Sequence, residues 1–369
     1  MTTTSMQRLL AGAIATALTA LSGPAAGAEE KVLNVYNWSD YIAEDTIANF
    51  EERTGIEVNY DVFDSNEVLE AKLLAGNTGY DIVVPSASFM DRQIQAGVFR
   101  ELDQTALSHR GNLDPDIMAR VALHDPGNAH AIPYMWGTTG IGYNEALVGK
   151  ALKDAPVDSW SMLFDPAVIS KLADCGVTLL DAPSEVFSAA LVYLGKDANS
   201  EDLDDLAAAE AVLAAIRPHV RYIHSSQQIN DLANGEICVA MGWSGDVMIA
   251  ADRAAEADNG IEISYTIPKE GTIIWFDMLA IPADAPHPGN AHLFINYLLE
   301  PEVIAEVSNY VYYANPNSAA TALVEEEIIE DPGIYPTAEV KAKLFPDLAH
   351  TSKFTRLQTR AWTRFKTGQ

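Results

Sequence analysis

The stretch 32–85, VLNVYNWSDYIAEDTIANFEERTGIEVNYDVFDSNEVLEAKLLAGNTGYDIVVP, decides the fold. Val32 to Trp38 is rich in β-formers and stops at Ser39-Asp40, which predicts a strand ending in a turn. Glu44 to Arg53 has helical spacing and is stopped by Gly55. Ile56 to Phe63 alternates with period two and predicts a second strand. Asp64, three residues before Glu67, has the spacing of a capping box, and Val68, Leu69, Lys72 and Leu73 continue as a helix. Tyr80 to Pro85 is the third expected strand. A βαβαβ order implies a parallel sheet, and open parallel sheets bind ligands beyond the carboxyl ends of their strands. Asp40 and Ser86 stand at those ends.

Further on, the alternation recurs. Strands are expected at Val177 to Leu180 and Ile237 to Gly242, with a helix from Leu203 to Ile216 that Pro218 closes. Ile261, Ile263, Tyr265 and Ile267 alternate, and Leu293 to Leu299 lies in a helix. Gly137-Thr-Thr-Gly140-Ile-Gly142 has its glycines in the wrong order for a dinucleotide fingerprint, so it reads as a backbone crossing or a turn. The fold class is α/β. With 369 residues the chain is long enough for two domains at about 100 to 200 residues each.

The first 28 residues carry an address. Arg8 precedes an uncharged run from Leu9 to Leu21, and Ala26-Gly27-Ala28 offers a small-x-small cleavage site, so a secretory signal peptide is expected over residues 1–28. The run is too short to span a bilayer of about 30 Å. Cys175 and Cys238 are the only two cysteines. In an oxidising compartment they read as one disulfide, with two buried thiols as the alternative. The net charge of −29 argues against nucleic acid and anionic membrane surfaces as partners and favours cationic solutes.

Three of the six tryptophans are followed within three residues by an aspartate: Trp38 and Asp40, Trp243 and Asp246, Trp275 and Asp277. An indole face attracts a cation by about 0.5 to 2 kcal/mol, and a neighbouring carboxylate adds charge-assisted hydrogen bonds. Core tryptophans beside turn aspartates would give the same spacing. The chain has no His-Glu-x-x-His, Cys-x-x-Cys, Walker loop or Gly-x-Ser-x-Gly, and its eight histidines have no metal-ligand spacing. No metal and no cofactor is expected. Paired carboxylates leave a glycosidase-like hydrolase open as an alternative.

Several motifs are specific. Val35-Tyr-Asn-Trp-Ser-Asp-Tyr-Ile42, Tyr60-Asp-Val-Phe-Asp-Ser-Asn-Glu-Val-Leu69, Asp81-Ile-Val-Val-Pro-Ser-Ala-Ser88, Pro133-Tyr-Met-Trp-Gly-Thr-Thr-Gly-Ile-Gly-Tyr-Asn144 and Gly242-Trp-Ser-Gly-Asp246 closely resemble the periplasmic polyamine-binding proteins, the receptors of putrescine and spermidine ABC importers. The resemblance extends over nearly the whole chain after the signal and looks closest to the putrescine-binding branch. It implies a type II periplasmic binding protein fold with two discontinuous lobes joined by three crossings, each lobe a mainly parallel sheet flanked by helices. Lobe 1 is expected to comprise residues 29–136 plus about 269–305, and lobe 2 residues 137–268 plus about 306–369. Carried over by motif, the ligand site comprises Trp38, Ser39, Asp40, Tyr41 and Ser86 from the first lobe. Glu185, Trp243, Asp246, Trp275, Asp277 and Tyr313 complete it. The resemblance further implies a Cys175–Cys238 bridge, a periplasmic monomer, an inner-membrane ABC permease as partner and no catalysis.

Two residues depart from the putrescine-type pattern. Trp275 stands where putrescine binders tend to carry Phe and spermidine binders Trp, and Asp347 stands where an apolar residue is usual. Both would suit a longer amine, with Asp347 as a candidate ligand-length determinant; an Asp347 side chain turned to solvent is the alternative. A different organic cation or a sugar remains the alternative ligand.

Overall fold

Ten strands form one continuous sheet: β1 (Val32–Trp38), β2 (Glu57–Phe63), β3 (Ile82–Val83), β4 (Ala131–Asn144), β5 (Val177–Leu179), β6 (Tyr222–Ile223), β7 (Val239–Trp243), β8 (Ile263–Thr266), β9 (Ile273–Ala280) and β10 (Phe345–Pro346). Their order is β2-β1-β3-β9-β4-β7-β5-β6, with β10 beside β9 and β8 beside β4. In this computed structural model residues 29–368 are described, so the expected signal peptide lies outside the described residues. From Lys31 onward the chain forms one unit.

β1 pairs in parallel with β2 and β3, and β5 in parallel with β6 and β7, as the alternating sequence requires. The antiparallel strands β4 and β9 join these two parallel groups. β4 runs from one group into the other: Ala131 to Thr138 pair with β9, and Thr139 to Asn144 pair with β7 and β8. The glycine motif therefore lies in a crossing strand and makes no turn.

Local chemistry explains the helices between the strands. Glu44–Thr54 carries Glu44 and Asp45 in its first turn and Arg53 in its last, matching the macrodipole, and ends at left-handed Gly55. Leu203–Ile216 is capped by Asp202, whose side chain accepts from the Asp204 amide. For Asn66–Ala75 the cap is Ser65, which accepts from Val68 N at 3.4 Å, and not Asp64 as the box spacing suggested. Either residue can serve as an N-cap. The serine fits one position further on, and the Asp64 carboxylate is released for another role.

Two main cores lie along the sheet. The first gathers Leu33, Val35, Phe50, Phe63, Leu69, Ile132, Leu279 and Phe294, and the second Trp160, Phe164, Leu179, Phe187, Leu213, Met241 and Trp362. The chain passes from the first to the second through β4, leaves the second after β7 by way of a smaller third cluster that includes Leu232, Ile249 and Ala250, rejoins the first at β9, and returns to the second between Ile334 and Phe354. That last passage differs from the expected boundary near 306. Val307, Val311, Tyr313, Ile328 and Ile334 all bury in the first core, and only the helix Ser352–Thr367 returns to the second. Surface loops hid this, because an apolar pattern tells that a face is buried but not against which core.

Cys175 and Cys238 are bonded, with Cα atoms 5.4 Å apart, immediately before the paired strands β5 and β7. Among the described residues no helix is long and apolar enough to cross a membrane.

Candidate ligand-binding site

The expected site residues arrive from strand ends in both groups. Trp38 closes β1, and the Asp64 released from capping follows β2. Trp243 closes β7, and Asp246 lies in the first turn of the helix Ser244–Glu256. Trp275 and Asp277 alternate along β9, so both side chains leave the same face of the strand. Trp38, Ser39, Tyr41, Ser86, Glu185, Trp243, Asp246, Trp275, Asp277 and Tyr313 line one narrow cleft. Phe63, Asp64, Ser226 and Ile229 complete its wall and were not foreseen. Among the described residues no lysine, arginine or histidine lines it.

Aromatic rings form an interlocked wall. Trp38 meets Trp243 edge-on at 5.5 Å and Phe63 at 4.5 Å between ring centres. Tyr313 is set edge-on to Tyr41 at 5.1 Å and to Trp275 at 5.4 Å. Such pairs are favourable beyond their buried area and fix ring orientation. Trp38 is further held by its Nε1 donating to the Val84 carbonyl at 2.9 Å. Close approach depends on two glycines. A Cβ at Gly137 would lie 2.7 Å from the Trp275 ring, and one at Gly245 would overlap the Tyr313 ring. Any side chain at either position displaces the aromatic it faces.

Three carboxylates sit among these rings. Asp277 accepts from Ser86 Oγ at 2.6 Å and from Tyr41 Oη at 2.9 Å. Ser86 is itself fixed by Asn66, which donates from Nδ2 at 2.9 Å and accepts the Ser86 amide at 3.0 Å. Asp246 accepts from Tyr313 Oη at 2.8 Å, while its own amide donates to that oxygen at 3.0 Å. Glu185 accepts from Trp243 Nε1 at 3.0 Å and from the Thr139 hydroxyl. Burial is the leading cause that raises all three acids, to about 7 for Asp246 and Asp277 and about 8 for Glu185, with their hydrogen bonds pulling the other way. Coulombic repulsion adds to the rise: Asp40 and Asp277 act on Asp246, and Asp347 and Glu67 act on Glu185. The charge of Arg253 at the rim offsets part of the rise for Asp246. The cleft's chemistry suits a cation with an apolar body.

Asp40 departs from expectation. The backbone turns left-handed there, φ +53°, and the carboxylate pairs with Arg253 Nη2 at 2.7 Å instead of lining the cleft. Arg253 also donates to Asn230 at 2.9 Å. With side chains 39% and 36% exposed, this ion pair is a rim contact between the β1 end and the helix Ser244–Glu256.

Asp347 lies in an adjoining groove with Glu67, Ser88, Arg92, Pro183, Ser184 and His350. Only 9% of it is exposed, and its Oδ1 has no partner among the described residues. Burial is the main cause that pushes its carboxyl up, against the Ser88 hydrogen bond and the charges of His350 and Arg92. Among the described residues no group of three or more potential ligands could hold a metal ion.

Residues 45–337 match the family described as bacterial extracellular solute-binding protein. The chain is 56% identical to the putrescine-binding periplasmic protein PotF of Escherichia coli K12, covering 98% of this chain and 99% of that one. It is 54% identical to the putrescine-binding periplasmic protein SpuD of Pseudomonas aeruginosa UCBPP-PA14, over 95% of each. Among solved structures, the spermidine/putrescine ABC transporter substrate-binding protein PotD of Streptococcus pneumoniae aligns with a TM-score of 0.73 at 30% identity, covering 92% of this chain and 99% of that one. The fold is that of the type II periplasmic binding proteins. Strand order, cleft and sequence agree, and the chain belongs to the bacterial extracellular solute-binding proteins.

Proposed function

We propose that the protein is the periplasmic receptor of an ABC importer, which holds a polyamine, putrescine or spermidine, in the cleft and delivers it to a membrane permease. One observation carries the reading: three buried carboxylates in an aromatic-walled cleft that no basic side chain among the described residues lines. Aliphatic polyamines have ammonium groups at their ends and methylenes that hydrogen-bond to nothing between them. Acids suit the ends, and rings suit the middle. The ligands named for the relatives, putrescine and spermidine, have this chemistry. Micromolar affinity requires about 8 kcal/mol, which a few charge-assisted hydrogen bonds of about 1.5 to 3 kcal/mol and ring contacts can supply. No catalysis is needed. The proposed contacts are Trp38, Ser39, Tyr41, Ser86, Glu185, Trp243, Asp246, Trp275, Asp277 and Tyr313, with Asp40 acting from the rim through Arg253. Calorimetric titration with putrescine, cadaverine, spermidine, spermine and maltose tests the reading. Polyamine binding with no response to maltose is expected, and silence toward every polyamine would overturn it.

Ligand length is the second part of the proposal. The unpartnered Oδ1 of Asp347 and the nearby Glu67 extend the negative potential beyond Glu185, and an ammonium reaching past Glu185 would meet them. Spermidine is therefore expected to bind at least as well as putrescine. Changing Asp347→Leu should weaken spermidine at least tenfold and leave putrescine within threefold. Putrescine a hundredfold tighter than spermidine in the unmodified protein would sink this part alone.

A further inference from the structure

The helix Ser352–Thr367 is opposite in charge to the rest of the chain. The protein carries 52 acids against 23 lysines and arginines. This helix contains Lys353, Arg356, Arg360, Arg364 and Lys366 and no acid. Phe354, Gln358, Ala361, Trp362 and Phe365 form its buried face. Arg364 forks onto Glu210 at 2.6 and 2.9 Å, and Lys366 reaches Asp181 at 2.5 Å. Lys353, Arg356 and Arg360 are exposed and, among the described residues, have no ion-pair partner. Their spacing of three and four places them on one stripe.

That stripe borders a groove of 590 Å³, whose opposite wall is made by Glu70, Leu74 and Arg92. Glu70 is already taken up by Arg92 in a two-point pair, so Arg356 and Arg360 leave the groove with unbalanced positive charge. Leu74 adds an apolar spot that is 58% exposed. The two walls belong to different cores: Leu69 and Leu73 anchor the helix Asn66–Ala75 in the first, and Phe354 and Trp362 anchor the C-terminal helix in the second. The groove's width is thus set by how far the cores have closed on each other.

We propose that this groove is a docking surface for an acidic segment of the importer's membrane subunit, and that it reports closure because both walls must be in place to receive it. The proposal rests on the function proposed above. A carboxylate set between two guanidinium groups gains two-point geometry, and Leu74 gives an apolar contact at the groove's edge. An anionic lipid surface fits less well, since three free cations would have to overcome the repulsion of a chain with net charge −29.

The test uses the double variant Arg356→Glu/Arg360→Glu of the full protein. Calorimetry measures its putrescine affinity, and uptake of labelled putrescine is followed in cells that depend on this protein. Affinity within twofold and uptake lowered at least tenfold are expected, with a control Lys150→Glu/Lys153→Glu leaving uptake unchanged. Normal uptake by the double variant, or an equal loss in the control, overturns the proposal. Two further results overturn the choice of partner: the unmodified protein binding phosphatidylglycerol vesicles through these arginines, or forming a dimer that the double variant abolishes. Failure of the unmodified protein to bind putrescine would refute the underlying function instead and is seen separately in the calorimetry.

Discussion

Replacing Asp277 by asparagine should weaken putrescine binding by about 100- to 1000-fold and, at pH 8, make the empty protein more stable. The first effect follows from leaving a ligand ammonium buried without its counter-charge. Removing one partner of a buried ion pair costs about 3 to 5 kcal/mol, and about 1.4 kcal/mol corresponds to tenfold in affinity. The second effect follows from the empty cleft. Asp277 titrates near 7 because burial outweighs the bonds from Ser86 and Tyr41. Its folded-state value lies above the unfolded one, so the stability linked to its proton is fully present below about pH 4 and is lost as pH rises through 7. At pH 8 the ionised carboxylate is a net burden on the fold, of the order of a few kcal/mol. Asparagine removes that charge and keeps one oxygen to accept from Ser86 or Tyr41, its amide donating to the hydroxyl oxygen of the other. Asp246→Asn should behave alike, since Tyr313 likewise donates to it. Calorimetry with thermal melts checks both halves. Unchanged affinity in both variants would remove these acids from the site, and a lower melting temperature at pH 8 would assign Asp277 a structural duty.

Affinity should also fall steeply as the solution is acidified. Below about pH 7 both aspartates hold protons in the empty cleft, and Glu185 does so below about 8. A diammonium ligand requires them ionised, so binding must expel those protons. Each group that has to ionise costs up to about 1.4 kcal/mol, or tenfold, per pH unit below its own value. From pH 7 to pH 5 putrescine affinity should therefore drop at least a hundredfold. Heats of binding at pH 6 in buffers of different ionisation enthalpy should report release of more than one proton. Equal affinity at pH 5 and pH 8 would show that the carboxylates are already charged when the cleft is empty.

Much of this architecture is legible in the chain. A run of β-formers gives β1, period-two runs give β2 and β8, and the helix closed before Pro218 runs from Leu203 to Ile216 as expected. The site is less legible, for reasons that differ from residue to residue. Asp64 was obscured because Asp and Ser cap helices equally well, and only the geometry selects Ser65. Phe63 could have been found, since it is the register partner of Trp38 and so ends at the same sheet edge. Ser226 and Ile229 carry no signal, being ordinary residues at the start of a short helix. Asp40 stands at the strand end as expected, yet its partner Arg253 is 213 positions away, and no local pattern announces so distant a pair. Likewise, Val311 and Ile334 show that they are buried without showing in which core.

β4 remains hydrogen-bonded through both halves of the sheet without a loop between them. Relative motion of the two cores therefore has to be absorbed as torsion in β4, with β9 turning beside it, much as a metal ribbon twists without parting. A joint of this kind has little slack. The amides of Gly137 to Gly140 should stay protected from solvent exchange throughout the cycle, and neither half should be separable by cutting the chain between them.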